Sequence, residues 1–176
     1  MGLCPSPATA SQLGKLSSLR YLDLSENNGM YGDIPSQLGS LLHLRYLDLS
    51  GNSLYGAIPS QLGKLSSLRY LDLSDNDEIY GEVPSQLRNL SHLGYLDLSQ
   101  NQLSGALPFK FGNLHLLNSL RLDGNFDLTT DDAEWLSSLS SLTTLGFYSS
   151  DVGFSSYRLQ MIGELCCKII CLLERF

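Results

Sequence analysis

The sequence predicts an α/β repeat protein, a solenoid in which each repeat supplies a short strand followed by a short helical turn. One nine-residue phrase occurs three times almost unchanged, as LRYLDLSEN, LRYLDLSGN and LRYLDLSDN. Its copies begin at Leu19, Leu44, Leu68, Leu93, Leu117 and, in degenerate form, Leu142. The spacings are 25, 24, 25, 24 and 25 residues. A fixed period of this length indicates supersecondary units that stack on one another.

Each repeat has two parts. In the first, LxxLxLxxN, Leu47 and Leu49 alternate with outward positions, as in a short strand. In the second, LxGxIPxxLGxL, Gly and Pro turn the chain, and the three-residue spacing of Leu62 and Leu65 suits a short helical or 3₁₀ segment. One unit of this size cannot bury seven apolar side chains alone. Stacked units bury them against their neighbours and form one continuous core.

The longer repeats carry their extra residue at one place, directly after the Asn of the phrase. This is seen when NNGMYG at 27–32 is compared with NSLYG at 52–56. An insertion confined to one place indicates a loop that tolerates changes of length.

An Asn follows each predicted strand, at the bend. Bent backbone leaves N–H and C=O groups without partners in a sheet. An inward Asn has both donors and an acceptor, so it can bind its own coil and the next. We therefore predict a structural Asn ladder, with a ligand-binding row as the alternative. The ladder is Asn27, Asn52, Asn76, Asn101 and Asn125.

The pattern LxxLxxLxLxxNxLxGxIPxxLGxL, in four near-complete copies, resembles the plant-specific leucine-rich repeat family over roughly residues 11–148. The resemblance implies a curved right-handed solenoid. A parallel β-sheet would line its concave face, and short helical or 3₁₀ turns its convex side. Members of this family are mostly ectodomains of receptor-like proteins and receptor kinases, together with secreted inhibitors of cell-wall-degrading enzymes.

Two further segments resemble plant receptor-like proteins of the elicitor-receptor type. They are NFDLTTDDAEWLSSLSSLTTL at 125–145 and LQMIGEL at 159–165. The implied function is a recognition module that binds a protein, peptide or glycan ligand on the concave face, in defence or developmental signalling, with a co-receptor as a further partner. Two alternatives stay open: an inhibitor of cell-wall-degrading enzymes, and a truncated receptor fragment without independent function.

Three columns of identical residues are predicted to point outward from the concave sheet, because the Leu residues of each strand point inward. A Tyr column suits recognition. An Asp column would attract a cationic group, and its crowding would raise some pKa values. Direct ligand contact and consensus scaffold both remain open, since the residues are the same in each copy. The columns are Tyr21, Tyr46, Tyr70 and Tyr95; Asp23, Asp48, Asp72 and Asp97; and Ser25, Ser50, Ser74 and Ser99.

The position before each Asn varies between copies, as a tunable recognition surface requires. It reads Glu26, Gly51, Asp75, Gln100 and Gly124. The predicted ligand contacts are Tyr21, Asp23, Glu26, Tyr46, Asp48, Tyr70, Asp72, Asp75, Tyr95, Asp97 and Gln100. A nearby acidic patch suits either a solvated loop or a basic partner; it contains Asp75, Asp77, Glu78 and Glu82.

Neither an enzyme nor a cofactor protein is predicted. Two of the three histidines share one repeat register and the third lies one position earlier, but no Cys, Ser or Asp pattern pairs with them as nucleophile and base. They are His43, His92 and His115. Asp131, Asp132 and Glu134 could suggest a metal site, but a capping box with Asp131 as N-cap and Glu134 at N3 explains them better. The net charge of −7 argues against nucleic acid, because binding to phosphates requires an excess of Lys and Arg.

The ends of the chain are predicted to differ from its middle. We expect an N-terminal extension at 1–10, the solenoid of five to six repeats at 11–148, and an irregular segment with a C-terminal capping helix at 149–176. No CxxC pair occurs among the four cysteines, so a zinc site is not predicted. They are Cys4, Cys166, Cys167 and Cys171.

The family resemblance implies the plasma membrane or the extracellular space. The N-terminus has no signal-peptide pattern, and no run of 18 uncharged apolar residues exists that could span a membrane. Asn89 begins the sequon Asn-Leu-Ser, which would carry a glycan only in the secretory pathway. Its predicted place is the convex turn, away from the concave face.

Overall fold

A computed structural model of the chain describes residues 16–27, 29–107, 113–125, 127–129 and 139–146. These residues form stacked coils, and most coils contribute one strand to each of two sheets. The predicted N-terminal extension, the capping box at Asp131 and Glu134 and the C-terminal capping helix lie outside the described residues.

The first sheet is parallel and has six three-residue strands in the described part of the chain. In spatial order they are β1 (Tyr21–Asp23), β3 (Tyr46–Asp48), β5 (Tyr70–Asp72), β7 (Tyr95–Asp97), β9 (Ser119–Arg121) and β11 (Thr144–Gly146). Neighbouring strands pair without offset, so Tyr21 lies beside Tyr46 and Tyr46 beside Tyr70. These are the strands that the repeated phrase predicts, and every position of the phrase becomes a column across the sheet.

A second parallel sheet, of five strands among the described residues, follows the Asn of each coil. The strands are β2 (Tyr31–Asp33), β4 (Ser53–Gly56), β6 (Glu78–Gly81), β8 (Gln102–Ala106) and β10 (Asp127–Thr129). From the sequence, this segment was expected only to turn the chain at its Gly and Pro residues. Coils that stack at strand spacing bring its backbone groups within reach of the next coil as well, so a second ladder forms.

Short 3₁₀ helices close the coils, as the sequence predicts. They are η1 (Ser36–Ser40), η2 (Ser60–Lys64) and η3 (Ser85–Asn89). Each begins after a proline; Pro59, for example, has φ −67°. The N–H of Leu65 donates to the carbonyl of Leu62 at 3.0 Å, and both side chains are fully buried. The 3₁₀ spacing thus directs two leucines of one coil into the core.

One hydrophobic core runs through the stack. The seven apolar side chains of the second coil are all buried, none more than 4% exposed. They are Leu44, Leu47, Leu49, Leu54, Ile58, Leu62 and Leu65. Their equivalents in the third coil belong to the same cluster, and the partly buried Leu19, Leu22 and Leu24 of the first coil pack against it. This confirms that the coils share a core that no single coil could form.

Two glycines set the distance between coils on the 3₁₀ side. A Cβ atom on Gly39 would collide with the backbone carbonyl of Gln61, and one on Gly63 with that of Gln86. Because the atoms in the way are backbone, they cannot turn aside as a side chain could. The absence of a side chain at these positions lets the 3₁₀ helices of adjacent coils pack closely.

We predict that Gly63→Ala lowers the free energy of unfolding by about 1–3 kcal/mol, as overpacking of a close contact does. Gly29→Ala is the matched control, since a Cβ at Gly29 meets no atom within 4 Å. Urea denaturation of both variants provides the measurement. An equal stability for the two variants would contradict the role assigned to Gly63.

The Asn side chains hold the bends of successive coils together. Nδ2 of Asn76 lies 3.0 Å from the carbonyl oxygen of Leu49, 3.1 Å from that of Leu73 and 3.0 Å from that of Ser74. Its Oδ1 accepts a hydrogen bond from the N–H of Leu54 at 3.1 Å. From Asn52 onward, each Asn of the ladder therefore binds its own coil and the preceding one, whereas the following coil was expected from the sequence.

The extra residue of the longer coils changes the donor to the next Asn. In the shorter second coil, the N–H of Leu54 donates to Oδ1 of Asn76. In the longer first coil, the N–H of Asn27 donates to Oδ1 of Asn52 at 3.1 Å, whereas no donor among the described residues reaches the buried Oδ1 of Asn101 after the longer third coil. Coils of the two lengths are therefore not equivalent inside the stack.

We predict that Asn76→Ala lowers the free energy of unfolding by about 3–5 kcal/mol, because it leaves several buried backbone groups without partners. Asn76 is fully buried, whereas Asn27 is exposed at the bend of the first described coil. Asn27→Ala should therefore cost about 1 kcal/mol or less. Urea denaturation again measures both, and a similar loss at the two positions would show that burial of the ladder does not matter.

Candidate functional site

The predicted Tyr column forms a continuous stack of rings on the six-stranded sheet. Adjacent ring centroids are 4.3, 4.2 and 4.4 Å apart, and the planes differ by 13°, 8° and 4°. The tyrosine stack consists of Tyr21, Tyr46, Tyr70 and Tyr95. Because Tyr46 and Tyr70 each lie between two rings, both of their faces are covered. What they offer to a partner is a ring edge and a hydroxyl oxygen.

Each Tyr of the stack donates a hydrogen bond to the Asp of its own coil, and that Asp also accepts hydrogen bonds from the Ser that follows it. The hydroxyl of Tyr70 donates to Oδ2 of Asp72 at 3.1 Å, while the N–H and the hydroxyl of Ser74 donate to Oδ1 at 3.0 and 2.6 Å. The same three bonds recur in the other Tyr-Leu-Asp-Leu-Ser coils. Both oxygens of every carboxylate in the column are thus occupied within the coil.

Most of the Asp column lies beneath the face. Asp48, Asp72 and Asp97 are 7%, 6% and 2% exposed, and only Asp23, in the first described coil, is classed as exposed. These side chains were predicted to lie on an open surface, where they would attract a cationic group. The structure instead places three of the four where a ligand has little access to the carboxylate.

The surroundings of Asp23 and Asp72 shift the pKa values of these two carboxyl groups in opposite directions. Hydrogen bonds from the Ser25 hydroxyl and N–H lower the pKa of Asp23. Burial raises the pKa of Asp72, although the bonds from Ser74 oppose this. The neighbouring charge of Asp97 raises it further, as crowding in the column was expected to do, but burial is the larger cause.

The tyrosines keep their protons. Burial, followed by the charge of Asp72, raises the pKa of Tyr70 above its ordinary value. Burial and then the charge of Asp97 raise the pKa of Tyr95 to about 12. At physiological pH these hydroxyls therefore remain donors to their carboxylates.

A pH titration of Asp72→Asn tests the burial of this carboxylate. Because the pKa of Asp72 is higher in the folded than in the unfolded chain, folding favours the protonated form. The stabilisation that protonated Asp72 gives to the folded chain is therefore lost as pH rises from about 4 through the pKa of Asp72 in the folded chain. We expect the free energy of unfolding of the variant, minus that of the wild type, to increase over that range. A difference that stays constant or decreases would contradict the raised pKa.

The fifth coil breaks the column. Arg121 of β9 stands beside Asp97, and its Nε lies 3.5 Å from Oδ2 of that carboxylate. Its Nη2 lies 3.4 Å from Oδ2 of Asp123. Although partial burial opposes it, the charges of Asp97 and Asp123 raise the pKa of Arg121. On the other side, Gly146 lies opposite Arg121 and leaves space for it, since a Cβ there would be 3.4 Å from Cγ of Arg121 and collide with Asp123. The deepest carboxylate thus has a cationic partner.

Sequence reasoning missed Arg121. The signal was available: at the fixed register of the phrase, the fifth copy reads SLRLD where the earlier copies read YLDLS. An Arg beside an in-register Asp predicts an ion pair across two strands.

The rim of the sheet is the position directly before each Asn of the ladder. Its residue type varies between copies, but its backbone conformation is constrained. Glu26, Asp75 and Gln100 have φ of 55°, 53° and 53°, in the left-handed region that side chains other than Gly, Asn and Asp rarely adopt. Gly51 and Gly124 share this conformation, with φ 61° and 76°. Two glycines in five copies were a signal for it. The three side chains of the rim are exposed, and those of Glu26 and Gln100 lie over the glycine of the next coil.

The opposite edge of the face carries three arginines that sequence reasoning did not single out. The arginine column is Arg20, Arg45 and Arg69, each directly before a Tyr of the stack. All three are exposed. The N–H of Arg45 donates to the carbonyl of Arg20, and that of Arg69 to the carbonyl of Arg45, both at 2.8 Å. Within the described residues, no carboxylate lies within 4.0 Å of these three guanidinium groups.

Except for Asp75, which belongs to the rim, the other predicted features lie away from this face. Asn89 is exposed and is the last residue of η3. The acidic patch of Asp75, Asp77, Glu78 and Glu82 is exposed. In the described part of the chain, no group of three or more His, Cys, Asp or Glu could hold a metal ion. None of the described helices has the length and hydrophobicity that crossing a bilayer requires.

Comparisons with known proteins agree with this architecture. The family model described as leucine-rich repeat region matches residues 57–167, and that described as leucine rich repeat matches residues 17–77. No curated protein matches the sequence.

Among solved structures, one similar chain is the ectodomain of the Arabidopsis thaliana receptor kinase GASSHO1/SCHENGEN3, in complex with CASPARIAN STRIP INTEGRITY FACTOR 2. It is 38% identical with a TM-score of 0.75, and the match covers 84% of this chain and 17% of that one. The Arabidopsis receptor kinase HAESA, in complex with the peptide hormone IDA and the co-receptor SERK1, is 33% identical with a TM-score of 0.76, covering 84% and 24%.

The Arabidopsis thaliana BIR3–SERK2 complex contains a third similar chain, 42% identical with a TM-score of 0.58, for which the match covers 66% of this chain and 60% of that one. The chain matches only 17% and 24% of the GASSHO1/SCHENGEN3 and HAESA chains. Since the leucine-rich repeat region model matches more than half of its residues, the chain belongs to the leucine-rich repeat family.

Proposed function

We propose that this chain is a recognition module that binds a peptide or protein ligand on the face of its six-stranded sheet. One observation carries the proposal: four successive coils align their outward side chains in register, so that the tyrosine stack, the arginine column and the rim form one continuous surface. The complexes of GASSHO1/SCHENGEN3 with CASPARIAN STRIP INTEGRITY FACTOR 2 and of HAESA with a peptide hormone support a ligand-binding role for similar chains.

Within this face we assign two kinds of role. The tyrosine stack and the exposed rim, together with Asp23, are proposed to touch the ligand. Asp48, Asp72 and Asp97 are proposed to orient the tyrosine hydroxyls from below, because they are buried and already bonded to them. The residues proposed to contact the ligand are Tyr21, Asp23, Glu26, Tyr46, Tyr70, Asp75, Tyr95 and Gln100.

The proposed setting is the extracellular side of the plasma membrane, in defence or developmental signalling, as for receptor ectodomains of this family. A co-receptor is proposed as a second partner, by analogy with SERK1 in the HAESA complex. Asn89 suits this setting, since it is exposed at the end of η3. A glycan there would leave the face of the six-stranded sheet open.

Selection from a displayed peptide library tests the proposal. Peptides that bind the wild-type chain should lose at least about tenfold in affinity when Glu26, Asp75 and Gln100 are all changed to Lys, because the rim is exposed and charge complementarity controls association. The control changes Glu82, Asp77 and Gln61 to Lys. This alters net charge equally, at exposed positions off this face. Equal binding of the selected peptides to both variants, or no selected peptide at all, would overturn the proposal.

A further inference from the structure

The accessible charge on the sheet face is positive along one edge. The Asp column was expected to attract a cation, but three of its four carboxylates are buried and each accepts hydrogen bonds from its own coil. By contrast, Arg20, Arg45 and Arg69 are exposed, and no described carboxylate pairs with them. Beside the tyrosine stack, a ligand therefore meets guanidinium groups rather than carboxylates.

The middle of the face offers hydrogen-bond acceptors. Each tyrosine hydroxyl of the stack donates its single proton to an Asp, at 2.9–3.1 Å. The hydroxyls of the half-buried Ser25 and Ser50 likewise donate to the Asp of their coils, whereas Ser74 and Ser99 are buried out of a ligand's reach. Since a hydroxyl has one proton and two lone pairs, these oxygens can now only accept. A ligand that lies over them must supply donors.

The tyrosine rings are poorly placed to stack on a ligand. Ring centroids 4.2–4.4 Å apart leave no space between neighbouring rings, and both faces of Tyr46 and Tyr70 are covered. A flat ligand surface such as a sugar ring would meet only ring edges over the two inner coils. An extended peptide backbone does not need an open ring face, and its N–H groups are donors at regular intervals.

We propose that the face takes an extended acidic peptide that runs across the coils. Its carboxylates bind the arginine column, and its backbone N–H groups donate to the hydroxyl oxygens of the tyrosine stack. This inference rests on the proposed function and specifies the ligand class. Adjacent coils are about 4.8 Å apart, and side chains on one side of an extended peptide recur about every 7 Å. The three arginines therefore span two carboxylates, and the long Arg side chains make up the difference in spacing.

Guanidinium is suited to this role because it binds a carboxylate through two parallel N–H···O bonds. The rim on the opposite edge, with Glu26 and Asp75, suits hydrogen-bond donors or cationic groups on the other side of the peptide. The two edges together would fix which side of the peptide faces the arginine column.

The test uses a capped nonapeptide with Glu at every second position and Ser between, and a matched peptide with Gln in place of Glu. Binding to the wild-type chain is followed by fluorescence anisotropy at low salt and at about 0.3 M salt. We expect the Glu peptide to bind at least about tenfold more tightly than the Gln peptide, with the difference reduced by salt. Equal binding of the two peptides, or no binding of the Glu peptide, would overturn the inference.

Two double variants locate the interaction. Arg45→Gln with Arg69→Gln removes two cations from the arginine column, and Lys64→Gln with Arg88→Gln removes two exposed cations from η2 and η3. Both change net charge by the same amount. The first should weaken binding of the Glu peptide by about tenfold or more, and the second by less than about twofold. Equal losses would show non-specific attraction and contradict the arginine column as the site.

The remaining outcomes separate this inference from the proposed function. If library-selected peptides bind through the rim but are unaffected by the Arg45 and Arg69 changes, the recognition module stands and the acidic ligand class fails. Preferential binding of a polyuronate oligosaccharide over the Glu peptide would also overturn the inference, in favour of a glycan. Thermal melting of each variant checks that these exposed substitutions leave the fold intact.

Discussion

Every coil depends on the coil beside it for backbone hydrogen bonds and for apolar contacts. The N–H of Arg45 bonds to Arg20 of the preceding coil, and Arg69 bonds to Arg45 in turn, so the stack advances by one strand spacing per coil. Leucines fill the space between the coils, and the Asn side chains close the bends. A residue that recurs in the phrase must therefore recur as a column. Both the stability of the stack and the regularity of its surface follow from this in-register pairing.

In a column of carboxylates at strand spacing, the negative charges repel one another and destabilise the sheet unless other groups offset the repulsion. The structure moderates the repulsion by giving every Asp three hydrogen bonds within its coil and by placing Arg121 beside Asp97, the most buried of them. The tyrosine stack depends on the same bonds, because each hydroxyl is directed toward the carboxylate. The Asp residues therefore orient the tyrosine hydroxyls from beneath the face. The side chains that a ligand meets are those of the tyrosine stack and the arginine column.

The sequence predicted the parts of this fold that follow from spacing alone. Period and alternation identify the inward residues such as Leu47 and the 3₁₀ leucines such as Leu62, because their burial requires only that coils stack. The second sheet was missed although LxGxI alternates with period two, because the Gly and Pro of this motif were interpreted as turn residues. The burial of Asp72 was missed because an outward position in a strand does not reveal how far neighbouring columns cover it. Arg121 lies at a known register, but its role depends on the burial of Asp97, which an ion pair across two strands offsets and which the spacing of the copies does not reveal.

The unequal coil lengths have a consequence for how this chain can change. In the short second coil the N–H of Leu54 donates to Asn76, whereas in the long first coil the donor to Asn52 is the N–H of Asn27. The bond between neighbouring bends thus depends on the length of the coil that donates it. Unequal recombination that adds or removes a long and a short coil together, such as residues 19–67, keeps the alternation of coil lengths. Gain or loss of a single coil brings two coils of one length together and breaks that alternation.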